Sequence, residues 1–85
     1  MHVVNSNTET ILKHIFIDVF PDISEESFDF DKQQNDYENW DSFAHLRLVS
    51  EIEEKFNIKL EIDDVVYIRS ALGFLKIIKE KSSIK

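Results

Sequence analysis

Trp40-Asp41-Ser42-Phe43-Ala44-His45-Leu46 marks the start of a helix that we expect to run from about residue 42 to residue 56. Asp41 and Ser42 are small polar residues just before an apolar periodic run, where a side-chain oxygen can accept from the unpaired N–H groups of a first helical turn. The apolar residues that follow recur at spacings of three and four, as on one helix face: Phe43, Leu46, Val49, Ile52 and Phe56. Ser42 should therefore be exposed, at a helix start where free N–H groups and the helix dipole favour an anion.

The length and composition of the chain indicate one domain covering residues 1–85. A chain of 85 residues can build a sufficient core without a metal or a disulfide. It contains no cysteine, which excludes disulfides, thiol catalysis and thiolate metal sites. No signal peptide and no apolar run as long as a membrane span are visible, so we expect a cytoplasmic protein that does not insert into membranes.

The charge of the chain is acidic and unevenly distributed. The formal net charge is −7, from 17 acidic and 10 basic residues. This balance argues against nucleic acid as a partner, because phosphate binding needs clustered Lys and Arg. It suits a monomer, or a partner with a basic docking patch. The lysines of residues 65–85 are spread around a helix, so we interpret them as a solvated face.

The first helix is expected over residues 7–20. Ser6 and Glu9 fit a capping box with Ser6 as the N-cap, and Pro21 ends the helix because it restricts the residue before it and lacks an N–H. A long acidic loop follows over residues 21–41. We expect its aromatic residues to pin it to the core, with one short helical turn near residues 24–27.

The second helix is followed by a short extended link. Asn57 is expected to end the helix, because Asn tolerates the left-handed conformation found there. Ile58, Leu60 and Ile62 alternate with polar residues, which predicts that their side chains turn inward together.

Two further helices complete the predicted fold. A short third helix is expected over residues 64–69, and Ser70 is expected to cap a fourth helix over residues 71–81. The inward residues of the fourth helix should be Leu72, Phe74, Leu75, Ile77 and Ile78. The predicted fold class is therefore all-α, a small four-helix bundle with three longer helices, a short third helix and a long loop after helix 1.

A catalytic triad is one interpretation of the residues around Ser42. Asp41, Ser42 and His45 supply the three residue types, and residues three apart on a helix are neighbours. However, no Gly-rich segment offers an oxyanion hole, and the only glycine in the chain is Gly73. We therefore expect no hydrolase, and we expect His45 to lie on the helix surface.

A metal site is not indicated by the spacing of the possible ligands. In a calcium loop starting at Asp29, the positions that need Gly and Glu hold Gln34 and Trp40. The three histidines, His2, His14 and His45, have no metal-ligand spacing.

The run Asp41-Ser42-Phe43 and the helix after it resemble the acyl carrier protein family. That family has Asp-Ser-Leu at the head of its second helix, which ends in Glu-Glu-x-Phe. The register here is Leu46-x-x-Val49-x-x-Ile52-Glu53-Glu54-x-Phe56. Residues 58–68 match the family's loop and short third helix without a gap, and the resemblance covers nearly the whole chain.

The resemblance implies a carrier protein and not an enzyme. In the family, a phosphopantetheinyl transferase moves 4′-phosphopantetheine from coenzyme A to the motif serine, here Ser42, which follows the motif aspartate Asp41. The thiol of that arm then holds an acyl or aminoacyl group as a thioester. Further partners would be a ligase or synthase that loads the cargo and a transferase that takes it away.

The resemblance also implies roles for other residues. Apolar contact with partner enzymes would come from Phe43, Leu46 and Val49, and pairing with their basic patches from Glu53 and Glu54. An acyl pocket between the second and third helices would be lined by Leu60, Ile62, Val65 and Ile68.

Ala44, Arg47 and Trp40 depart from the family pattern in a way that favours a specialised, stand-alone carrier over housekeeping fatty-acid synthesis, whereas the departure at Phe43 concerns the choice of partner. Phe43 replaces the usual Leu, Ala44 and Arg47 stand where fatty-acid carriers often have acids, and Trp40 stands where they usually have Gly. Two alternatives stay open. Ser42 is an ordinary N-cap in one, and in the other the chain is a non-carrier acidic helical interaction module that docks a partner through the same helix.

Overall fold

Over residues 3–82, the computed structural model of the chain contains four α-helices and one short 3₁₀ helix. It describes the backbone of residues 3–82 and the side chains of residues 8–81. The α-helices are α1 (Val3–Val19), α2 (Ser42–Phe56), α3 (Ile62–Tyr67) and α4 (Ala71–Ser82), and the 3₁₀ helix (Gln34–Asp36) lies between α1 and α2. α1 packs against both α2 and α4. The predicted all-α four-helix class is confirmed. Within residues 3–82, no helix has the length and apolar character needed to cross a bilayer.

The start of α1 differs from the sequence prediction. The helical backbone begins at Val3, so Ser6 lies inside the helix and is not its N-cap. The side chain of Ser6 lies outside the described residues. The other end agrees with the prediction, because the helix stops at Val19, shortly before Pro21.

The core is built around the aromatic ring of Phe16. Five other aromatic rings lie with their centroids between 5.5 and 6.2 Å from it: Phe20, Phe28, Tyr37, Trp40 and Phe74. Offset and edge-on pairs at such distances add to the stabilisation that comes from burying the rings. Four of these rings belong to the connection between α1 and α2, so the loop is part of the core.

Backbone hydrogen bonds hold the long connection against the junction of α3 and α4. The N–H of Gln34 donates to the carbonyl of Arg69 (2.7 Å), and the N–H of Leu72 donates to the carbonyl of Phe30 (3.0 Å). A single β-bridge pairs Gln33 with Ser70. The predicted pinning of the loop is confirmed, whereas this pairing with residues 69–72 was not predicted.

The predicted start and end of α2 and the predicted start of α4 are confirmed. Asp41 is the N-cap of α2, since its Oδ1 accepts from the N–H of Ala44 at 2.9 Å. Asn57 follows α2 in the left-handed conformation (φ 56°, ψ 49°). Ser70 Oγ accepts from the N–H of Gly73 at 3.1 Å, in the first turn of α4.

The prediction that Ile62 turns inward is wrong. Leu60 is buried and Ile58 is half-buried, but Ile62 is 78% exposed. The reason is that α3 begins at Ile62, two residues before its predicted start. In an extended chain successive side chains point to opposite faces, and this pattern ends where the helix begins, so it does not determine the direction of the Ile62 side chain.

The hydroxyl of Tyr37 is buried among the loop aromatics without a hydrogen-bond partner. Burial raises the pKa of Tyr37 from 10.0 to about 12, and the negative charges of Asp29 and Asp36 act in the same direction. The phenol consequently stays neutral at every pH at which the protein would normally be studied.

Tyr37→Phe should keep the ring packing and remove the unpaired hydroxyl, so the free energy of unfolding at neutral pH should stay the same or rise by up to about 1 kcal/mol. The folded chain holds the phenolic proton more tightly than the unfolded chain. The stability contributed by this proton is therefore complete below pH 10 and is lost as the pH rises through about 12. In denaturant unfolding, the difference in unfolding free energy between the variant and the wild type should be constant below pH 10. Above pH 10 it should increase in favour of the variant. A difference that does not change with pH would contradict this assignment.

Candidate functional site

The start of α2 separates the capping residue from the exposed serine. Asp41 accepts the hydrogen bond of the N-cap, and Ser42 is the first helical residue. The Ser42 side chain is exposed, and its hydroxyl has no hydrogen-bond partner among the described residues. The interpretation of Ser42 as an ordinary N-cap is therefore wrong, because Asp41 performs that role.

A groove of about 390 Å³ lies beside Ser42. Its walls come from the long connection, from α2 and from the segment of α3 and the residues after it: Gln34, Ser42, His45, Leu46, Val65, Val66 and Arg69. Three of these side chains are aliphatic, and the lining contains no carboxylate. The groove therefore combines an apolar wall with one permanently charged cation.

His45 lies on the inner side of the groove and connects three segments of the chain. Its ring is 8% exposed, and it packs between the rings of Trp40 and Phe74 at centroid distances of 5.9 and 5.8 Å. The indole Nε1 of Trp40 lies 3.0 Å from His45 Nδ1, and the carbonyl oxygen of Val65 lies 2.6 Å from His45 Nε2. The long connection, α2 and α3 are thus joined through one imidazole.

These two contacts determine which nitrogen of His45 carries the proton. An indole N–H can only donate, so Nδ1 must be the acceptor. A carbonyl oxygen can only accept, so Nε2 must carry the hydrogen. Both nitrogens of the neutral ring are in use, which leaves His45 no free nitrogen with which to take a proton from Ser42.

The prediction that His45 lies on the helix surface is wrong. A polar residue is buried here because Trp40 and Val65 satisfy both of its ring nitrogens, which removes the main cost of burying it. The sequence carried one signal for this arrangement, a tryptophan five residues earlier whose N–H needs an acceptor if it is buried.

Only some of the residues expected to contact partners are exposed at the surface. Phe43 is 85% exposed and Leu46 is 58% exposed, and Glu54 is also exposed. Glu53 is half-buried, and its carboxylate accepts from the N–H of Leu60 at 2.9 Å, so it helps to hold the link after α2. Val49 is 8% exposed and belongs to the core, which makes its predicted role as a partner contact wrong.

The four residues expected to form an acyl pocket do not line one shared space. Val65 lines the groove beside Ser42, whereas Ile68 lines a different cavity next to Gly73. Leu60 is buried in the core, and Ile62 faces solvent. The structure therefore does not bring the four residues together, and it excludes Ile62 from such a lining, because α3 begins earlier than expected and turns this residue outward.

Most of the exposed apolar side chains lie on α2 and α3. Of the six large hydrophobic residues that are exposed in the described part of the chain, five lie on these helices: Phe43, Leu46, Ile62, Val66 and Tyr67. Two of them, Leu46 and Val66, line the groove beside Ser42, and adjacent exposed apolar side chains are typical of a surface that contacts another molecule.

Comparison of the chain with protein-family models, with curated proteins and with solved structures finds no match. Among the residues whose side chains are described, no three His, Cys, Asp or Glu side chains are grouped as metal ligands would be. A functional assignment therefore depends on the residues around Ser42 and their geometry.

Alanine substitutions of Asp41 and Ser42 should have different effects on stability, because only Asp41 caps the helix. Asp41→Ala should lower the free energy of unfolding by about 1 kcal/mol, because the N–H of Ala44 loses its acceptor. Ser42→Ala should change it by less than about 0.5 kcal/mol, because the hydroxyl makes no intramolecular bond. Equal losses in the two variants, measured by denaturant unfolding, would contradict the assignment of Asp41 as the cap.

Two substitutions of His45 should separate its two hydrogen bonds. The amide of Asn reaches about as far as Nδ1, and the amide of Gln reaches about as far as Nε2. His45→Asn should therefore keep an acceptor for Trp40 but release the carbonyl of Val65, and His45→Gln should do the reverse. Each should cost about 1–3 kcal/mol of unfolding free energy, because a buried polar group is left unpaired.

Hydrogen exchange can distinguish the two variants of His45. The amides of α3 should exchange faster in His45→Asn than in His45→Gln, since only the first variant detaches Val65. Exchange in α3 that is equal in both variants would show that the His45–Val65 bond does not hold the helix.

Proposed function

We propose that this protein is an acyl or aminoacyl carrier that holds its cargo as a thioester on 4′-phosphopantetheine attached to Ser42. The observation that supports the proposal most directly is the state of Ser42. Its hydroxyl is exposed, unbonded and fixed on the first residue of a capped helix. An external transferase needs a hydroxyl with these properties.

The surroundings of Ser42 fit a phosphopantetheine group. An aliphatic groove opens beside the hydroxyl, and Leu46, Val65 and Val66 line it. In the transfer, the Ser42 hydroxyl would lose its proton and bond to the phosphorus that bears the pantetheine arm, and adenosine 3′,5′-bisphosphate would leave coenzyme A. When bound, the group supplies the thiol that this cysteine-free chain lacks.

The geometry of His45 supports a carrier over a hydrolase. The triad interpretation needs the imidazole to accept a proton from Ser42. Both of its nitrogens are already occupied by Trp40 and Val65. The chain would therefore present cargo to other enzymes without performing chemistry on it.

The proposed partners are a phosphopantetheinyl transferase, a ligase or synthase that loads the cargo, and a transferase that removes it. Phe43 and Leu46 offer them apolar contact beside the attachment point, and Glu54 offers a negative charge for a basic patch. The departures of Trp40 and Arg47 from the fatty-acid carrier pattern favour a specialised pathway. We place the protein in the cytoplasm, because its donor coenzyme A is an intracellular cofactor, and we propose that it acts as a monomer.

A second candidate function is a docking module without an attached group. The exposed apolar side chains of α2 and α3 favour it, because they would contact a partner whether or not Ser42 is modified. The two functions differ in their dependence on the Ser42 hydroxyl.

The deciding experiment is intact-mass analysis after incubation with coenzyme A and a phosphopantetheinyl transferase of broad specificity. The wild type should gain the mass of one phosphopantetheine, and Ser42→Ala should gain nothing. Ser50→Ala is the matched control, because Ser50 is an exposed serine of the same helix. This control should be modified to the same extent as the wild type.

Unchanged mass in correctly folded wild-type protein would overturn the carrier proposal. The docking function would then be the better account of the exposed apolar surface. Modification of Ser42→Ala would also overturn the assignment, because the attachment residue would lie elsewhere.

A further inference from the structure

We propose that Arg69, braced by Gln34, binds the phosphodiester of the arm attached to Ser42. The inference rests on the proposed function and extends it to a binding residue in the groove. Arg69, Gln34 and Ser42 line the same groove of about 390 Å³, although they lie in three different segments of the chain.

The guanidinium of Arg69 is held in place by one hydrogen bond, and its other N–H donors have no partner among the described residues. Its Nη1 donates to Oε1 of Gln34 at 3.0 Å. A guanidinium carries five N–H donors, so most of them stay available for an anion. Their planar arrangement matches the two non-bridging oxygens of a phosphodiester.

Gln34 is itself fixed on two sides. Its Nε2 donates to the carbonyl oxygen of Trp40 at 3.0 Å, and its backbone N–H donates to the carbonyl oxygen of Arg69 at 2.7 Å. Gln34 therefore positions the guanidinium of Arg69 relative to Trp40, which directly precedes Asp41. A cation held in this way loses less side-chain entropy when it binds an anion.

Arg69 has no carboxylate partner among the described residues, although the net charge of the chain is −7. The other arginine, Arg47, pairs with Asp18 of α1 and with Glu51 of α2 at 3.6 and 3.4 Å. Among the ion pairs of the described residues, none includes Arg69, and no acid lines its groove. Within this groove the charge of Arg69 is therefore not offset by a carboxylate. Arg69 also lines the cavity next to Gly73 together with Asp63 and Asp64, and it forms an ion pair with neither.

A purely structural role for Arg69 makes a different prediction. If Arg69 only ties the loop through Gln34, a neutral amide could make the same hydrogen bond and the state of Ser42 would not matter. If Arg69 binds the phosphodiester, its charge should matter only after loading. Comparing unloaded and loaded protein separates the two roles.

The experiment compares the melting temperature of unloaded and loaded protein in the wild type, Arg69→Gln and Arg47→Gln. Loading should raise the melting temperature of the wild type by roughly 2–6 °C, as expected for one exposed ion pair in a domain of this size. Most of that gain should disappear in Arg69→Gln and persist in Arg47→Gln. Arg47→Gln is the matched control, because it makes the same change of charge outside the groove.

A second readout observes the phosphorus directly. The ³¹P resonance of the loaded protein should move in Arg69→Gln and stay in place in Arg47→Gln. The shift between wild type and Arg69→Gln should shrink in about 0.5 M salt, because exposed charges are screened at that ionic strength. Arg69→Lys keeps the charge without the planar fork, so it should retain part of the gain and provides a second test if Arg69→Gln unfolds.

The outcomes distinguish this inference from the function on which it rests. If the wild type takes up no phosphopantetheine by mass, the proposed function and this inference both fail. If loading succeeds but raises the melting temperature equally in wild type, Arg69→Gln and Arg69→Lys, and leaves the ³¹P resonance unmoved, only this inference fails and the carrier proposal stands.

Discussion

A buried indole N–H must find an acceptor, and in this protein that requirement organises the site. Trp40 closes the aromatic core against Phe16, and its N–H would be unpaired without His45. Because His45 accepts on one nitrogen, it must donate on the other, and the carbonyl of Val65 receives that hydrogen. One constraint in the core thus determines the tautomer of a histidine and fixes the position of α3 beside α2.

Neighbouring residues at the start of α2 have different structural roles. Asp41 caps the helix N-terminus and His45 packs in the core, so the Ser42 side chain is needed neither for capping nor for packing. The serine and Phe43 are left facing solvent on a rigid element. An attachment residue benefits from this arrangement, because a modification at a side chain with no structural role should not disturb the packing beneath it.

Features that depend on near neighbours in the sequence were predicted well. The span of α2, the cap at Asp41 and the left-handed Asn57 follow from side-chain and backbone chemistry within a few residues. The predicted apolar stripe of α2 does not coincide with the buried face of the helix. The stripe omitted Leu48 and His45, which are buried, and included Phe43 and Leu46, which are exposed. A histidine becomes a core residue only through partners five and twenty residues away, which periodicity does not reveal.

The groove could not be predicted because it is assembled from segments that are distant in sequence. Gln34 reaches it because the long connection pairs with residues 69–72 through isolated backbone bonds, and the sequence offers no second strand-like segment that would predict this pairing. Val65 faces it because α3 starts at Ile62 and is tied to His45. A motif can identify the serine because the motif is local. The charge and shape beside the serine depend on how a loop packs, so the sequence predicted an exposed serine at the start of α2 but not that Arg69 lies in the groove beside it.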